Sequence, residues 1–355
     1  MLLPILEFIL GILYGVSLAL YAPSIIKNGL AESYSYLALL STIVAVLTYY
    51  LASRLYDTGY SFAMIVAGIS LAIAVVAIES NVILATALLT VFAGINYVSV
   101  VYLARGTKDL ILSHASHYLG MSLGAMLVYL EMRSPVLLLL AFSTLCYQFM
   151  GEKRKKVESK GSPKLTEIFT VFSIFGLALG LTTMNVEYYM ALRFDAEKEI
   201  ALLITTASLL SSIATLIASP ILGKFEAPKL HLIAVFSVAT IFASLGFVND
   251  LSYAIALVAI SDFAIIFADS TLESFYVTHE QRGVAIALMG ISWEIFAGIG
   301  KTIGFLLHSI SYEYPWILSS AILLGYIALR AEKSLRVRFW ISRDIFQLSR
   351  SASSS

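Results

Sequence analysis

Apolar stretches about as long as a bilayer is thick follow one another along the whole chain, and this pattern restricts the fold more than any other feature. Runs of about 17–25 residues, bounded by charge or by Pro and Gly, predict twelve membrane-spanning helices. With 59 % hydrophobic and 13 % charged residues, a soluble globular protein is excluded, and the predicted fold class is an all-α integral membrane protein. The predicted spans are 4–26, 34–53, 60–79, 82–104, 110–130, 135–150, 166–191, 199–222, 231–249, 251–277, 284–308 and 314–330.

Basic residues concentrate in alternate connectors, which predicts the orientation of the chain. Assigning both termini to the cytoplasm places eighteen Lys and Arg residues inside and four outside. The four are Lys27, Arg133, Arg193 and Lys198, and Lys301 alone stays within a span. The first apolar run carries Glu7 and has no basic residues before it, so we interpret it as a span and not a signal peptide. We expect a multi-pass protein of the cell membrane with both termini cytoplasmic.

The longest connector divides the chain into two halves. Residues 151–167, GEKRKKVESKGSPKLTE, are the most basic part of the sequence. The predicted organisation is a first six-helix half at 1–150, a basic cytoplasmic linker at 151–165, a second half at 166–331 and a cytoplasmic tail at 332–355. Basic and apolar residues alternate in the tail, which predicts an amphipathic helix on the inner leaflet or, alternatively, a disordered basic tail.

Small residues recur at equivalent places in the two halves. Two glycine pairs in spans one and five have counterparts 165 and 180 residues later, in spans seven and eleven. One such pair indicates only close helix packing, whereas four matched pairs predict a parallel internal repeat. The matches are Gly11 and Gly15 with Gly176 and Gly180, Gly120 and Gly124 with Gly300 and Gly304, Arg105-Gly106 with Arg282-Gly283, and Ala52-Ser53 with Ala218-Ser219.

Twelve spans in two parallel halves, a basic central loop and Arg-Gly turns after spans four and ten together resemble the major facilitator superfamily. Glu280-Gln281-Arg282-Gly283, which leads into a Gly-rich eleventh span, is the most family-like stretch. The family's loop between spans two and three, G-x-L-x-D-R-x-G-R-R, has a degenerate counterpart in Arg54-Leu55-Tyr56-Asp57-Thr58-Gly59.

The resemblance implies two pseudo-symmetric six-helix bundles. Spans 1, 4, 7 and 10 would line a central cavity, spans 2, 5, 8 and 11 would join the halves, and spans 3, 6, 9 and 12 would face lipid. The ionisable residues inside spans agree with this layout, because polar groups in a membrane face protein or water. They are Glu7, His114, His117, Glu187, Asp262, Asp269, Glu273, Glu294 and Lys301.

Three carboxylates lie on one face of the tenth span, in ISDFAIIFADSTLE. Asp262, Asp269 and Glu273 form a stripe roughly 16 Å long on a helix. Each ionised carboxylate at the bilayer centre costs about 3 kcal/mol, so water, protons or a cationic partner must offset them. We predict that Asp262 and Asp269 bind protons, a cation or the solute, the alternative being a static ion pair with a neighbouring helix.

The eleventh span offers that neighbour. Glu294 and Lys301 are seven residues apart and share a helix face. Lys301 is expected to pair with Asp262 or with Glu294, either as part of the coupling or as a purely structural contact. Superposing the Arg-Gly turns makes Asn96 the first-half counterpart of Glu273.

The remaining candidates line the cavity or close it. Tyr14 and Asn185 join Asp262, Asp269, Glu294, Lys301 and Asn96 as candidate proton-binding or solute-binding residues. The gate and charge-cluster candidates are Glu273, Arg282, Arg105, Asp57, Arg54 and Glu187, with Glu273 expected to pair with Arg282 or the tail arginines. For His114 and His117, metal binding, hydrogen bonding at an interface and proton relay stay open.

Motifs of the HExxH and GxxxxGK types do not occur, and Gly120-Met121-Ser122-Leu123-Gly124, which has the G-x-S-x-G form, lies within the fifth predicted span and not at a strand-to-helix turn, so we expect no enzyme, no cofactor and no metal. The prediction is a secondary active transporter that works by alternating access, is coupled to protons and favours efflux of a cationic or amphipathic solute. Its partners would be that solute, H⁺ and membrane lipid, with no nucleic acid, and the protein is expected to be a monomer. The alternatives are an uncoupled facilitator, a nutrient importer, an integral-membrane enzyme acting on lipid and a non-transporting sensor.

Overall fold

The computed structural model describes residues 2–30, 34–57, 63–104, 107–130, 165–182, 200–222, 227–276 and 282–330. All regular structure in these residues is helical. The helices are α1 (Leu2–Lys27), α2 (Tyr34–Asp57), α3 (Ala63–Ala77), α4 (Val82–Leu103), α5 (Thr107–Tyr129), α6 (Leu165–Leu181), α7 (Ile200–Leu222), α8 (Ala227–Leu245), α9 (Leu251–Tyr276), α10 (Arg282–Ile310) and α11 (Tyr314–Arg330). We call α1–α5 the first helix set and α6–α11 the second.

These helices coincide with the predicted spans one to five and seven to twelve, and the all-α membrane class is confirmed. Seven of the helices are long and apolar enough to cross a membrane, and three shorter helices are also apolar. The sixth predicted span, the linker, the end of the seventh span and the tail lie outside the described residues, so the count of twelve stays a prediction.

Local signals in the sequence explain how several helices begin and hold together. The Asn81 side chain accepts the N–H of Leu84 at 3.0 Å and caps α4, and Asp250 caps α9 through the N–H of Tyr253. Within the helices, Ser and Thr hydroxyls donate to the carbonyl four residues earlier, as Ser17 does to Leu13. These hydroxyls thus find a hydrogen-bond partner within their own helix without water.

The repeated glycines make equivalent contacts in both helix sets. A Cβ on Gly11 would lie 2.1 Å from the carbonyl oxygen of His117, so α1 touches α5 backbone to backbone. A Cβ on Gly176 would lie 2.3 Å from the carbonyl oxygen of Trp293, so α6 touches α10 in the same way. Such close approach tolerates no side chain, which explains the repeated small residues.

The two helix sets meet along two lines, α2 on α10 and α5 on α7. In the first line the Tyr49 ring lies on α10 at Gly290, where a Cβ would be 2.2 Å from the ring. In the second line the Ser122 hydroxyl donates to the carbonyl oxygen of Thr205 at 2.9 Å. These pairs are the spans 2, 11, 5 and 8 that the resemblance implied for the interface.

A polar chain ties α11 to three other helices of the second set. Arg330 Nη1 lies 2.6 Å from Glu167 Oε1 on α6, and Arg330 Nε lies 3.3 Å from the Tyr326 hydroxyl. That hydroxyl is 2.9 Å from Nε2 of the buried His231 on α8. His231 Nδ1 lies 3.0 Å from the carbonyl oxygen of Ala268 on α9. This series of polar contacts therefore ends at Ala268, the residue before Asp269.

Candidate functional site

Helix α9 presents its three carboxylates at three depths. Counting 1.5 Å per residue from the end of the helix at Tyr276, Glu273 lies about 5 Å, Asp269 about 10 Å and Asp262 about 21 Å along it. Glu273 is 2 % exposed, whereas Asp262 and Asp269 are half-buried. The three acids predicted to share a face are therefore in different environments.

Glu273 is held by residues of the first helix set. Its Oε2 lies 3.6 Å from Nε2 of His114 on α5, and the Tyr97 hydroxyl on α4 hydrogen-bonds the carboxylate. The side chain of Arg282 and the tail lie outside the described residues, so the expected pairing with them stays a prediction. His114 and Tyr97 are the partners that sequence reasoning missed, because nothing in the local pattern brings α4 and α5 to α9.

Asp269 sits one helical turn from Glu273, and their charges repel each other. Its Oδ1 is buried and has no hydrogen-bond partner among the described residues. A buried acceptor without a donor costs about 1–3 kcal/mol, and a proton or a ligand N–H would remove that cost. The geometry is therefore suited to binding a proton or a cationic group.

The acid on α10 also contacts the first helix set. The Tyr49 hydroxyl hydrogen-bonds the Glu294 carboxylate, and Thr42 Oγ1 lies 3.5 Å from the Glu294 carbonyl oxygen. The ammonium group of Lys301 acts electrostatically on the same carboxylate. Lys301 thus interacts electrostatically with Glu294, and which of its two expected pairings, with Glu294 or with Asp262, is the closer one stays a prediction.

The first helix set contains a buried carboxylate of its own. Glu7 is 2 % exposed, and its Oε2 accepts a hydrogen bond of 3.1 Å from Nδ2 of Asn96. His117 Nδ1 lies 3.1 Å from the same oxygen, and the His117 ring packs against Tyr14 with 5.5 Å between centroids. Asn96 and Tyr14 were predicted site residues, Glu7 was noted only as an intramembrane ionisable residue, and His117 had metal binding, interfacial hydrogen bonding and proton relay as open roles. The signal that could have found Glu7 is its position inside an otherwise apolar run.

Asp57 and Arg54 lie where α2 meets the beginning of α10. The Asp57 carboxylate accepts a hydrogen bond from the backbone N–H of Gly283 and feels the charge of Arg54. The N-terminal end of a helix favours such an anion. A cleft of about 200 Å³ opens here, lined by residues of α2 and α10, and it is separate from the buried acids. Of the other predicted gate residues, Arg105 and Glu187 lie outside the described residues, as does Asn185 of the predicted cavity wall.

No protein-family model and no curated protein matches the sequence. Solved structures do match it: the human organic anion transporter MFSD10 (TETRAN) has a TM-score of 0.66 at 13 % identity, over 91 % of this chain and 98 % of that one. The E. coli fucose:proton symporter FucP has a TM-score of 0.62 at 13 % identity, over 93 % and 97 %. The chain has the fold of the major facilitator superfamily.

The buried acids and their partners lie on helices that the family resemblance assigns to the wall of a central cavity. Glu7 is on α1, Asn96 and Tyr97 are on α4, and Asp269 and Glu273 are on α9, the helices that correspond to spans 1, 4 and 10. Two histidines of α5 contact these acids: His117 lies on Glu7, and His114 lies on Glu273. Among the described residues, no group of three or more His, Cys, Asp or Glu side chains could hold a metal ion. The arrangement is a group of carboxylates, histidines and tyrosines, part of which joins the two helix sets.

Proposed function

We propose that the protein is a secondary active transporter that moves a small solute by alternating access of its two halves, 1–150 and 166–331. One observation carries this proposal: buried acids of the second helix set have their partners in the first helix set. Glu273 meets His114 and Tyr97, and Glu294 meets Tyr49. The fold shared with two transporters supports the same conclusion.

Protons are the proposed coupling ion. Asp269 repels Glu273, Tyr49 feels the charges of both Glu273 and Glu294, and the cation Lys301 acts on Glu294. Negative charge in excess of positive charge inside a membrane must be neutralised by protons or by a cationic solute. Asp269, with an unpartnered oxygen, and Asp262 are the proposed proton-carrying groups.

The contacts of Glu273 provide a route from protonation to movement. An ionised carboxylate is a strong acceptor for the Tyr97 hydroxyl and for a ring N–H of His114, and a neutral one is weaker. These contacts lie near the ends of α4, α5 and α9 that the charge pattern places in the cytoplasm. Protonation would therefore loosen the cytoplasmic ends of the two helix sets and favour opening on that side.

Acids beside aromatic rings favour a cationic or amphipathic solute, and Tyr14, Tyr49 and Tyr97 supply such rings. An organic anion transporter and a fucose:proton symporter share this fold, so the fold does not decide the solute. We propose efflux across the cell membrane, by a monomer in lipid with both termini in the cytoplasm. The linker 151–165 and the tail 332–355 are then cytoplasmic as well.

The test is transport by the full chain in proteoliposomes with an imposed pH gradient. The probe is a fluorescent lipophilic cation, chosen by its stabilisation of the purified protein in a thermal-shift screen across pH. Wild type should drive the probe against its gradient while protons move the other way. Asp269→Asn and Asp262→Asn should remove the dependence on the pH gradient.

The matched control is Glu79→Gln, which makes the same kind of change at an exposed position between α3 and α4. It should transport like wild type. Transport by Asp269→Asn and Asp262→Asn that follows the pH gradient as wild type does would refute the assignment of the coupling groups. Wild-type transport that ignores the gradient would instead identify an uncoupled facilitator.

A further inference from the structure

Three helices of the first set converge on one carboxylate oxygen. Glu7 Oε2 on α1 accepts a hydrogen bond of 3.1 Å from Nδ2 of Asn96 on α4. The same oxygen lies 3.1 Å from Nδ1 of His117 on α5. Glu7 and Asn96 are 2 % and 8 % exposed. The close contact of α1 and α5 at Gly11 fixes Glu7 beside His117, because the two backbones touch one turn further along. The group is thus built into the packing of the helices.

The other oxygens of this group have no donor. Glu7 Oε1 and Asn96 Oδ1 are both buried and have no hydrogen-bond partner among the described residues. Both atoms are acceptors as long as Glu7 is ionised, so neither can satisfy the other. Buried polar atoms are normally hydrogen-bonded, so we expect a hydrogen-bond donor to be present between these two oxygens.

A carboxylic acid and a carboxamide can join through two hydrogen bonds in one ring. The amide N–H donates to one carboxyl oxygen, and the acid O–H donates to the amide oxygen. The first of these bonds is present between Asn96 Nδ2 and Glu7 Oε2. A single proton on Oε1 would turn that oxygen into the donor that Asn96 Oδ1 lacks, and it would satisfy both atoms at once.

We propose that Glu7 is a second proton-binding site of the protein, which carries its proton on Oε1 and shares it with Oδ1 of Asn96. The site is separate from the acids on α9. A role of Glu7 in coupling rests on the proposed proton-driven transport. The protonation of Glu7 itself does not depend on that proposal. His117 bonds the opposite oxygen, so Oε1 is the oxygen left to take the proton.

The helices around this group differ in the titratable side chains that they carry. Helices α3 and α7, which pack on α1, carry no ionisable side chain in Ala63–Ala77 and Ile200–Leu222. Among the described residues, His117 lies on Glu7 itself, Tyr14 packs against His117, and His114 lies on Glu273. The carboxyl groups of the neighbouring helices that act on Tyr49 or Tyr97 are Glu273, Glu294 and Asp269. His114 and His117 are one turn apart, so α5 offers a relay between Glu7 and Glu273.

The test is infrared difference spectroscopy of the purified full chain between acidic and alkaline pH. Wild type should show a protonated-carboxyl band from Glu7, which Glu7→Gln removes and Asp269→Asn leaves in place. Asn96→Leu should move that band to higher frequency, because the carboxyl carbonyl loses the amide N–H. Glu79→Gln is the control for an exposed acid.

A second measurement separates a proton from an ion pair at this site. Glutamine can make the same two-bond ring with Asn96, so Glu7→Gln should melt within a few degrees of wild type or above it. An unchanged carboxyl spectrum in Glu7→Gln, or a loss of folding in that variant, would overturn the proposal in favour of an ionised Glu7 paired with His117. Suppression of the Glu7 band by Na⁺ at constant ionic strength would overturn it in favour of a cation site. A wild type that shows the band but moves no protons with solute would refute the proposed transport and leave this site intact.

Discussion

At the scale of single residues, the buried acids differ in what satisfies them. Glu273 and Glu294 are bonded by hydroxyl groups from the first helix set, and Glu7 is bonded by an amide. Asp269 and Glu7 each keep a buried oxygen with no hydrogen-bond partner among the described residues. The contacts of Glu273 and Glu294 are suited to holding the helix sets together, whereas the unbonded oxygens of Asp269 and Glu7 are suited to taking a proton.

The contact between Glu273 and His114 should be measurable as a coupling across the two helix sets. A double-mutant cycle of Glu273→Gln and His114→Ala should give an interaction energy of about 0.5–3 kcal/mol. The reason is that the two side chains are 3.6 Å apart in a buried setting. Denaturation of the purified protein in detergent gives the free energies.

A control cycle pairs Glu273→Gln with His308→Ala. His308 lies in the last turn of α10 and packs against Tyr312, far from Glu273. Those two changes should be additive to within about 0.5 kcal/mol. Equal coupling in both cycles would mean that the His114 contact contributes nothing of its own.

At the scale of elements, α9 is positioned from both sides. Tyr97 and His114 of the first helix set reach Glu273 from one side. On the other side, His231 lies at hydrogen-bond distance from the carbonyl oxygen of Ala268 and from Tyr326. The helix that carries the three acids is thus held by polar contacts as well as by packing.

The link from α11 to α8 leads to a prediction on stability. Tyr326→Phe removes the hydroxyl that lies 2.9 Å from His231 Nε2 and leaves a buried nitrogen without its partner. The expected loss in free energy of unfolding is about 1–3 kcal/mol. Thermal or chemical denaturation in detergent measures it.

The matched control is Tyr253→Phe, which deletes the same hydroxyl at a residue that is 71 % exposed. It should change stability by less than about 0.5 kcal/mol. If Tyr326→Phe were as harmless as this control, the polar chain would not be holding α11 and α9 in place.

At the scale of the whole molecule, the contacts between α2 and α10 and between α5 and α7 join the helix sets. At one end, the beginning of α10 rests on Asp57 of α2. Alternating access in the proposed transporter requires this end to separate. A covalent link at this point should therefore trap one access state.

The link can be made with cysteines at Asp57 and Gly283. A Cβ on Gly283 would lie 2.3 Å from Asp57 Cγ, so the two Cβ atoms would be within the reach of a disulfide, about 3.5–4.5 Å. The sequence has one cysteine, Cys146, which is first replaced by serine. Oxidation of the Asp57→Cys, Gly283→Cys variant in that background should then stop transport. Reduction should restore it to the level of the same variant before oxidation.

Each single-cysteine variant serves as a control and should be insensitive to oxidant. Because the comparison is between two redox states of one protein, the loss of the Asp57 carboxylate does not affect it. Full transport by the cross-linked protein would show that this end does not open during transport.

The chain by itself determined its class and much of its layout. Bilayer-length apolar runs predicted the helices, because a backbone in lipid must satisfy its own hydrogen bonds. Matched glycines predicted the repeat, and the contacts at Gly11 and Gly176 show why no larger residue fits there. The acids of α9 were visible because a charge in an apolar run stands out.

Only the tertiary structure decided which groups those acids meet. Glu273 contacts His114, which is 159 residues away in the chain, and Glu7 contacts Asn96, which is 89 residues away. No local period encodes such pairings, because they depend on how whole helices cross. The charge pattern suggested an arginine for Glu273, yet the described partners are a tyrosine and a histidine brought in by α4 and α5. Helix packing, which the small residues set, therefore determined the chemistry of the site.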